Sequence, residues 1–368
     1  MRIFQVSKQT GWLSLLIWTI AISPAYCQQL RVAIAAKVAR INLSSSTPAI
    51  VSDENGQKLG ELQPLQGSIA TASNDRIEFG NSKVTQLWVK PQQGGYIWIG
   101  DRWYRGSVRV IPIKNQLLAI NHVDLEQYLY SVLGAEMSPT FPAEALKAQA
   151  VAARTYALYR SRASSQKPFD VDSTQSSQVY RGLSSEADTT QAAVNATLGQ
   201  IVTYGGKPIL AAFHAASGGH TENVEDIWLS REPYLRGVVD YDIGSPGYEW
   251  TQPFTLAQLS QSLKIKQVRT IVPDRVSQFG SVLSVTINGD TTQTFTGSQF
   301  RTALKLRSLR FTISPTSTGF TLAGRGYGHG LGLSQWGAYN LAEQGMKYPS
   351  ILAHYYQGVK IEKLSDRN

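Results

Sequence analysis

Glycine occupies every second position from Gly324 to Gly332 in the segment Gly324-Arg-Gly-Tyr-Gly-His-Gly-Leu-Gly-Leu-Ser-Gln-Trp-Gly-Ala338, with His329 at its centre. Glycine at this density weakens any regular element, because it loses more conformational freedom on ordering than other residues do. A chain tolerates that where the backbone turns tightly or comes within contact distance of another group. One reading is a connection between a strand over Gly319–Ala323 and a helix over Ser334–Gln344, with Ser334 as its cap and Gly345 as its stop. The other is an anion cradle ahead of a helix N-terminus. Nucleotide binding fails on spacing: no Gly-Lys-Ser/Thr ending follows, and no acidic residue stands at the Rossmann interval of a βαβ unit.

Short strands open the rest of the chain. Leu30–Ala35, Ala39–Leu43 and Ala49–Ser52 alternate or run apolar between polar turns, and Asp53-Glu-Asn-Gly56 supplies turn chemistry. Val108–Ile113 and Gln116–Asn121 read as a hairpin about Lys114-Asn115. Asp124–Met137 reads as an amphipathic helical segment delivering Glu136. The alanine-rich run from Pro142 to Arg162 is a helix, with Pro142 and Glu144 suited to its start. Strands are expected again over Gln200–Tyr204 and Pro208–Phe213, and a hairpin over Ser281–Thr296 turning at Asn288-Gly289. Strands and helices mix without regular βαβ alternation, so the fold class is α+β. No internal repeat is apparent.

The N-terminus carries Arg2 and Lys8, an apolar run from Trp12 to Ile22, and then Ser-Pro-Ala-Tyr-Cys27. That order is the pattern of a secretory signal over residues 1–27, cleaved after Ala25 or Cys27. The run is well short of the ~20 apolar residues that span a bilayer, so no stable membrane span remains after cleavage. Cys27 is the sole cysteine, which leaves the exported chain without an internal disulfide and dependent on its core. The net charge is +9 and stays positive once Arg2 and Lys8 are removed. A basic exported protein is drawn to anionic polymers such as cell-wall glycans or membrane surfaces. No basic helix or aromatic–basic repeat supports nucleic acid as a partner.

Seven segments, taken in order, resemble the SpoIID/LytB family of cell-wall proteins. They are Asn121-His-Val-Asp-Leu-Glu-Gln-Tyr-Leu-Tyr130, Val132-Leu-Gly-Ala-Glu-Met137, the helix Pro142–Ala157, Ser177-Gln-Val-Tyr-Arg-Gly182, Ala216-Ser-Gly-Gly-His-Thr-Glu222, the glycine block, and Ile351-Leu-Ala-His-Tyr-Tyr356. The resemblance implies a SpoIID-like domain with a central glycan-binding groove. It divides the chain into a strand-rich part over 28–120, a catalytic core over 121–361 and a tail over 362–368. It also implies a lytic transglycosylase that cuts peptidoglycan strands between N-acetylmuramic acid and N-acetylglucosamine, leaving a 1,6-anhydro ring. The catalytic carboxylate of the family's Val-x-x-x-Glu-Met maps onto Glu136. One carboxyl suffices when the attacking group is the substrate's own 6-hydroxyl, in contrast to the paired carboxylates of ordinary glycoside hydrolysis. The donor must hold its proton near neutral pH, and the apolar company of Val132, Leu133, Ala135 and Met137 is suited to raising its pKa.

Substrate contacts are expected from Arg154, Gln178, Tyr180, Ser217, Glu222, His329, Ser334, Gln335 and Trp336. Each has a plainer reading: Arg154 as a buried paired cation, Tyr180 and Trp336 as core aromatics, Ser334 as a helix cap, the Ser217–Glu222 loop as an exposed turn. Glu222 is the alternative carboxylate if Glu136 is structural. Glu136, the Ser217–Glu222 loop and the glycine block are expected to converge on one groove. Some family members hold zinc with a histidine and two cysteines beyond the long helix. Residues 167–180 contain neither type, and Asp170 and Asp172 do not replace thiolates, so no metal and no other cofactor is expected. LytB-type relatives instead enhance a separate cell-wall amidase, which makes a non-catalytic enhancer or glycan-binding protein the second reading. The leader makes the first testable statement. N-terminal sequencing of the exported protein should begin at Tyr26 or Gln28, whereas full-length protein retained in the cytosol would contradict it.

Overall fold

The computed structural model describes residues 28–228 and 230–364. The leader assigned to residues 1–27, and residues 365–368 of the tail, lie outside them. Two sheets form the N-terminal part. The first runs Val171–Asp172, Gln29–Val38, Gln116–Asp124, Ser107–Ile113, Leu87–Pro91, Ala49–Ser52, Lys58–Leu62 from edge to edge. The second runs Arg102–Tyr104, Ile97–Ile99, Arg40–Ser45, Ser68–Ser73, Arg76–Phe79, Ser82–Val84. Period-two alternation turns Val32, Val89 and Val110 of one sheet, and Leu43, Ile77 and Ile99 of the other, into a single core. The hairpin foreseen at Lys114-Asn115 forms there, with φ of 50° and 58° at those residues, as a two-residue primed turn requires.

The polypeptide then becomes helical: α1 (Leu125–Glu136), α2 (Ala143–Ala163), α3 (Asp188–Ala196) and the short α4 (Val224–Trp228). Asp124 caps α1 by accepting from the amides of Glu126 (2.9 Å) and Gln127 (3.1 Å). Ala148, Ala150, Ala152, Ala153 and Ala157 of α2 are completely buried. Their small side chains let neighbouring elements approach the helix axis from several sides. The strand expected over Pro208–Phe213 is reduced to Lys207–Pro208 and Phe213–His214, because this stretch crosses from one sheet to another.

Residues 249–325 carry a second core, built on Trp250, Leu259, Phe300, Leu304, Phe311 and Leu322. It contains two three-stranded sheets with α5 (Leu256–Leu263) and α6 (Gly297–Leu304). Here the structure corrects the sequence reading, for this lobe holds an internal repeat. Phe254-Thr-x-x-Gln258 through Leu263-Lys264 recurs as Phe295-Thr-x-x-Gln299 through Leu304-Lys305. In both copies threonine and glutamine form a reciprocal capping box, and lysine ends the helix in the left-handed conformation, with φ of 57° and 54°. The repeat is hard to see in the sequence because the apolar positions change identity, Leu259 to Phe300 and Ile265 to Leu306, while keeping their burial.

The glycine block follows the strand Gly319–Arg325 and leads through Leu333–Ser334 into α7 (Gln335–Glu343), then α8 (Tyr348–Tyr355). Both C-terminal helices pack against α2. Among the described residues no helix is long and apolar enough to cross a membrane. The whole is α+β.

Arg154 belongs to this framework and not to a groove. Its guanidinium is completely buried and donates to both carboxylate oxygens of Glu126, at 2.7 and 2.6 Å, and to the carbonyls of Gln200 and Val194. It thereby ties α2 to α1, α3 and the strand Gln200–Tyr204. Replacing it would strand the Glu126 carboxylate, so Arg154→Met should lower the unfolding free energy by about 3–5 kcal/mol. Urea unfolding measures this; an unchanged midpoint would remove the pair from the framework.

Candidate functional site

A cavity of about 430 Å³ opens where the end of α1, the segment 175–181, the strand Phe213–His214, α6 and the glycine block meet. Glu136 is the last residue of α1 and faces it. The Val179 amide donates to Glu136 Oε1 at 2.8 Å, and the Gln335 side chain at the start of α7 lies beside the carboxyl and favours its charged form. Burial raises the Glu136 pKa; the Val179 amide, Gln335 and the Arg181 charge pull it down without cancelling that rise. Its place at the C-terminal end of a helix, where unpaired carbonyls disfavour negative charge, acts in the same direction as burial. The result is a carboxyl disposed to keep its proton at higher pH than an ordinary glutamate.

The opposite wall is made by backbone contact. Ala216 and Tyr327 exchange amide hydrogen bonds of 3.0 and 2.7 Å, fastening the glycine block to the segment 212–218. Gly326 (φ +84°) and Gly328 (φ +127°) sit in the left-handed region, and a Cβ on Gly328 would lie 2.6 Å from the His214 Cβ. Close backbone approach, one of the two needs read from the glycine alternation, therefore explains it. The approach brings His214 and His329 together, their rings 5.4 Å apart. Burial pushes the His214 pKa down to about 4, and burial with the nearby His214 and Arg301 holds His329 well below its usual value. Both rings are neutral at physiological pH. His214 Nδ1 lies 3.0 Å from the Leu331 carbonyl, while His329 Nδ1 accepts from the Leu331 amide at 3.0 Å, which places the His329 proton on Nε2.

The Ser217–Glu222 loop lies behind this wall. Ser217 donates to Asp240 at 2.6 Å, and the Gly218 and Gly219 amides donate to Asp242 at 2.7 and 2.9 Å. Burial and the neighbouring Asp240 raise the Asp242 pKa. Glu222 is buried 3.5 Å from Arg310, and it lines a separate cleft of about 10 Å³ that shares Gly328 and His329 with the large cavity. That volume admits about one water molecule and no sugar. Convergence thus holds for Glu136 and the glycine block, while the Ser217–Glu222 loop backs the wall without lining the cavity.

Of the residues expected at a groove, Glu136, His329 and Gln335 line the cavity. The others are committed elsewhere. Gln178 is fully buried, accepting from the Tyr128 hydroxyl and donating to the Ala153 carbonyl, both at 3.2 Å. Tyr180 donates to Asn121 at 2.9 Å and packs between Tyr104 and Tyr128. Ser334 caps α7 by accepting from the Gly337 amide, as its plainer reading held. Trp336 packs on Phe141 and Tyr339. Sequence reasoning missed Arg181, His214, Trp228, Arg301 and Tyr327, which do line the cavity. Val179 was missed too, since its contribution is a backbone amide. Arg301 is some 165 positions from Glu136, and nothing local marks it except its place in a repeat.

The zinc ligand set that the resemblance implies for some family members does not fit the residues present. Asp170 is held by Arg31 at 2.6 Å and Asp172 accepts from Ser177 at 2.9 Å, with no cysteine or histidine beside them in the segment 167–180. Among the described residues no group of three or more His, Cys, Asp or Glu gathers that could hold a metal.

The family model of the stage II sporulation protein SpoIID matches residues 113–204, which span α1, α2 and α3 and include Glu136. An uncharacterized protein of Brachyspira hyodysenteriae is 37% identical over 278 residues, covering 73% of this chain and 74% of its own. Stage II sporulation protein D of Bacillus subtilis is 36% identical over 276 residues, 70% of this chain and 79% of its own. The amidase enhancer of the same organism is 29% identical over 290 residues, 63% of this chain and 40% of its own. Together with the ordered motifs and the cavity at the end of α1, these similarities place the chain in the SpoIID/LytB family.

Proposed function

We propose that this chain is an exported peptidoglycan lytic transglycosylase in which Glu136 is the acid and then the base. The observation that carries the reading is that Glu136 is, among the described residues, the only carboxyl group lining the cavity. A site that activates water by a second carboxylate needs a pair. A site that closes a ring with the substrate's own hydroxyl does not. Glu136, protonated through burial, gives its proton to the glycosidic oxygen as the bond to C1 of N-acetylmuramic acid breaks. The carboxylate then takes the proton of the C6 hydroxyl as that oxygen bonds to C1. The products are a 1,6-anhydro end and a free 4-hydroxyl on N-acetylglucosamine, and the glutamate has regained the proton it needs for the next turnover.

The neighbouring groups support each stage. The Val179 amide and Gln335 hold the carboxyl in place and stabilise its charged form between the two proton transfers. Neutral His214 and His329 add no competing positive charge at physiological pH. The kinship with an amidase enhancer favours one second reading, in which the same cavity binds glycan for a separate amidase and cuts nothing. Glycan strands are the ligand in both readings, and they differ in whether anhydro ends form.

Three outcomes follow. Glu136→Gln keeps shape and hydrogen bonding but carries no proton, so turnover should fall ~10²–10⁴-fold while glycan binding survives. Mass analysis of glycan strands incubated with each protein checks this; wild type that yields no anhydro ends would favour the enhancer reading, and an equally active variant would move the search to Glu222. The pH profile gives the second. The active form for the first transfer is the protonated acid, and burial raises its pKa, so kcat/KM should hold above the ordinary carboxylate range and fall as pH rises through the raised value. Removing the Gln335 amide takes away a group that favours the carboxylate, so Gln335→Leu should move that alkaline limb to still higher pH. A limb that stays put, or moves to lower pH, would separate Gln335 from the acid.

A further inference from the structure

The cavity contains charge that the mechanism above leaves unused. Arg301 projects from α6 of the second lobe and lines the cavity together with Glu136. Its Nε donates to the Leu306 carbonyl at 3.2 Å, and its terminal guanidinium nitrogens make no hydrogen bond or ion pair with any described residue. Burial lowers its pKa, the mark of a cation deprived of water without being given a counter-ion. Arg181, on the Glu136 side, likewise has no carboxylate within ion-pair distance among the described residues, although its charge is felt by Glu136. The other eight-residue helix of the repeat shows that the lobe does not need this arginine to fold. Position 260 of α5, which corresponds to 301 in α6, is Ser260, yet the same capping box and left-handed stop are formed.

When Glu136 holds its proton and both histidines are neutral, the two arginines are the charged groups lining the cavity among the described residues. An unpaired, partly desolvated arginine is unfavourable unless an anion arrives, and its planar fork matches a carboxylate. We infer that the cavity holds an anion subsite in which Arg301, assisted by Arg181, takes a carboxylate borne by the sugar seated beside Glu136. The inference rests on the glycan reading and adds a criterion to it: the second lobe reads the charge of the sugar, and a neutral amino-sugar unit is a poor ligand. A bound carboxylate also offsets the pull of Arg181 on Glu136, so that substrate binding and proton retention reinforce each other.

The test uses the full chain carrying Glu136→Gln, which binds without turnover, and calorimetric titration with two ligands. One is the disaccharide N-acetylglucosaminyl-N-acetylmuramic acid, the other its methyl ester, in which one methyl group caps the carboxylate and removes its charge. The free acid should bind roughly 10–100-fold more tightly than the ester. Adding Arg301→Gln should bring the acid to the level of the ester and leave the ester unchanged, and Arg301→Lys should restore part of the difference. The comparison of the two ligands on the Arg301-containing protein stands even if the Arg301 variants fold poorly. Equal affinity for acid and ester would overturn the anion subsite alone. Failure of both to bind would overturn the glycan reading and the subsite with it.

Discussion

The pair of backbone hydrogen bonds between Ala216 and Tyr327 holds the site together. Nothing in the side chains of the glycine block would bring it so near to the segment 212–218; the absence of side chains does. Gly326 and Gly328 let two backbones meet at distances a Cβ would forbid, and the chain that leaves them enters α7 with Gln335 already aimed at Glu136. The same contact sets His329 beside His214 and Trp228, their rings tilted to one another, and all three line the cavity. A single non-glycine residue at position 328 would push against the His214 Cβ and move the wall that faces the carboxyl.

Electrostatics then follows from burial. The environment that raises the acid also lowers the two histidines, so desolvation acts on groups of both signs and favours the neutral form of each. Opposed to it are a few directed contacts, chiefly the Val179 amide and Gln335, which favour the carboxylate. A group proposed to give a proton and then recover one is served by such opposed influences. Arg154 and Glu126 show the contrasting arrangement. Their charges are paired, with Arg154 wholly buried and Glu126 largely so, and they serve the framework.

Much of the framework was legible in the sequence. Period-two alternation marked the first strands, Lys114-Asn115 marked its hairpin, and the alanine-rich run marked α2. Glu136, His329 and Gln335 sit in motifs whose order could be read, and they meet at the cavity. What could not be read depends on contacts between distant segments. Gln178 and Tyr180 alternate with Val179 along an extended segment, and only the packing of Tyr128 and Asn121 decides that both side chains turn inward while the Val179 amide turns to Glu136. The Ser217–Glu222 loop carries polar groups suited to a sugar, yet Asp240 and Asp242 from a later segment consume them. Arg301 escaped because only its position marks it: α6 shares the length, capping box and left-handed stop of α5, and differs in the side chain it directs into the cavity.

The central claim is that Glu136 keeps its proton into the pH range where an ordinary glutamate has lost it. Carbon-13 NMR of glutamate-labelled protein, with the Glu136 side-chain carboxyl signal assigned by its loss in Glu136→Gln, follows that proton directly. The account predicts a titration midpoint above the ordinary glutamate range in wild type, displaced further upward in Gln335→Leu. A midpoint at or below the ordinary range would contradict it, whatever the protein does to cell-wall glycans.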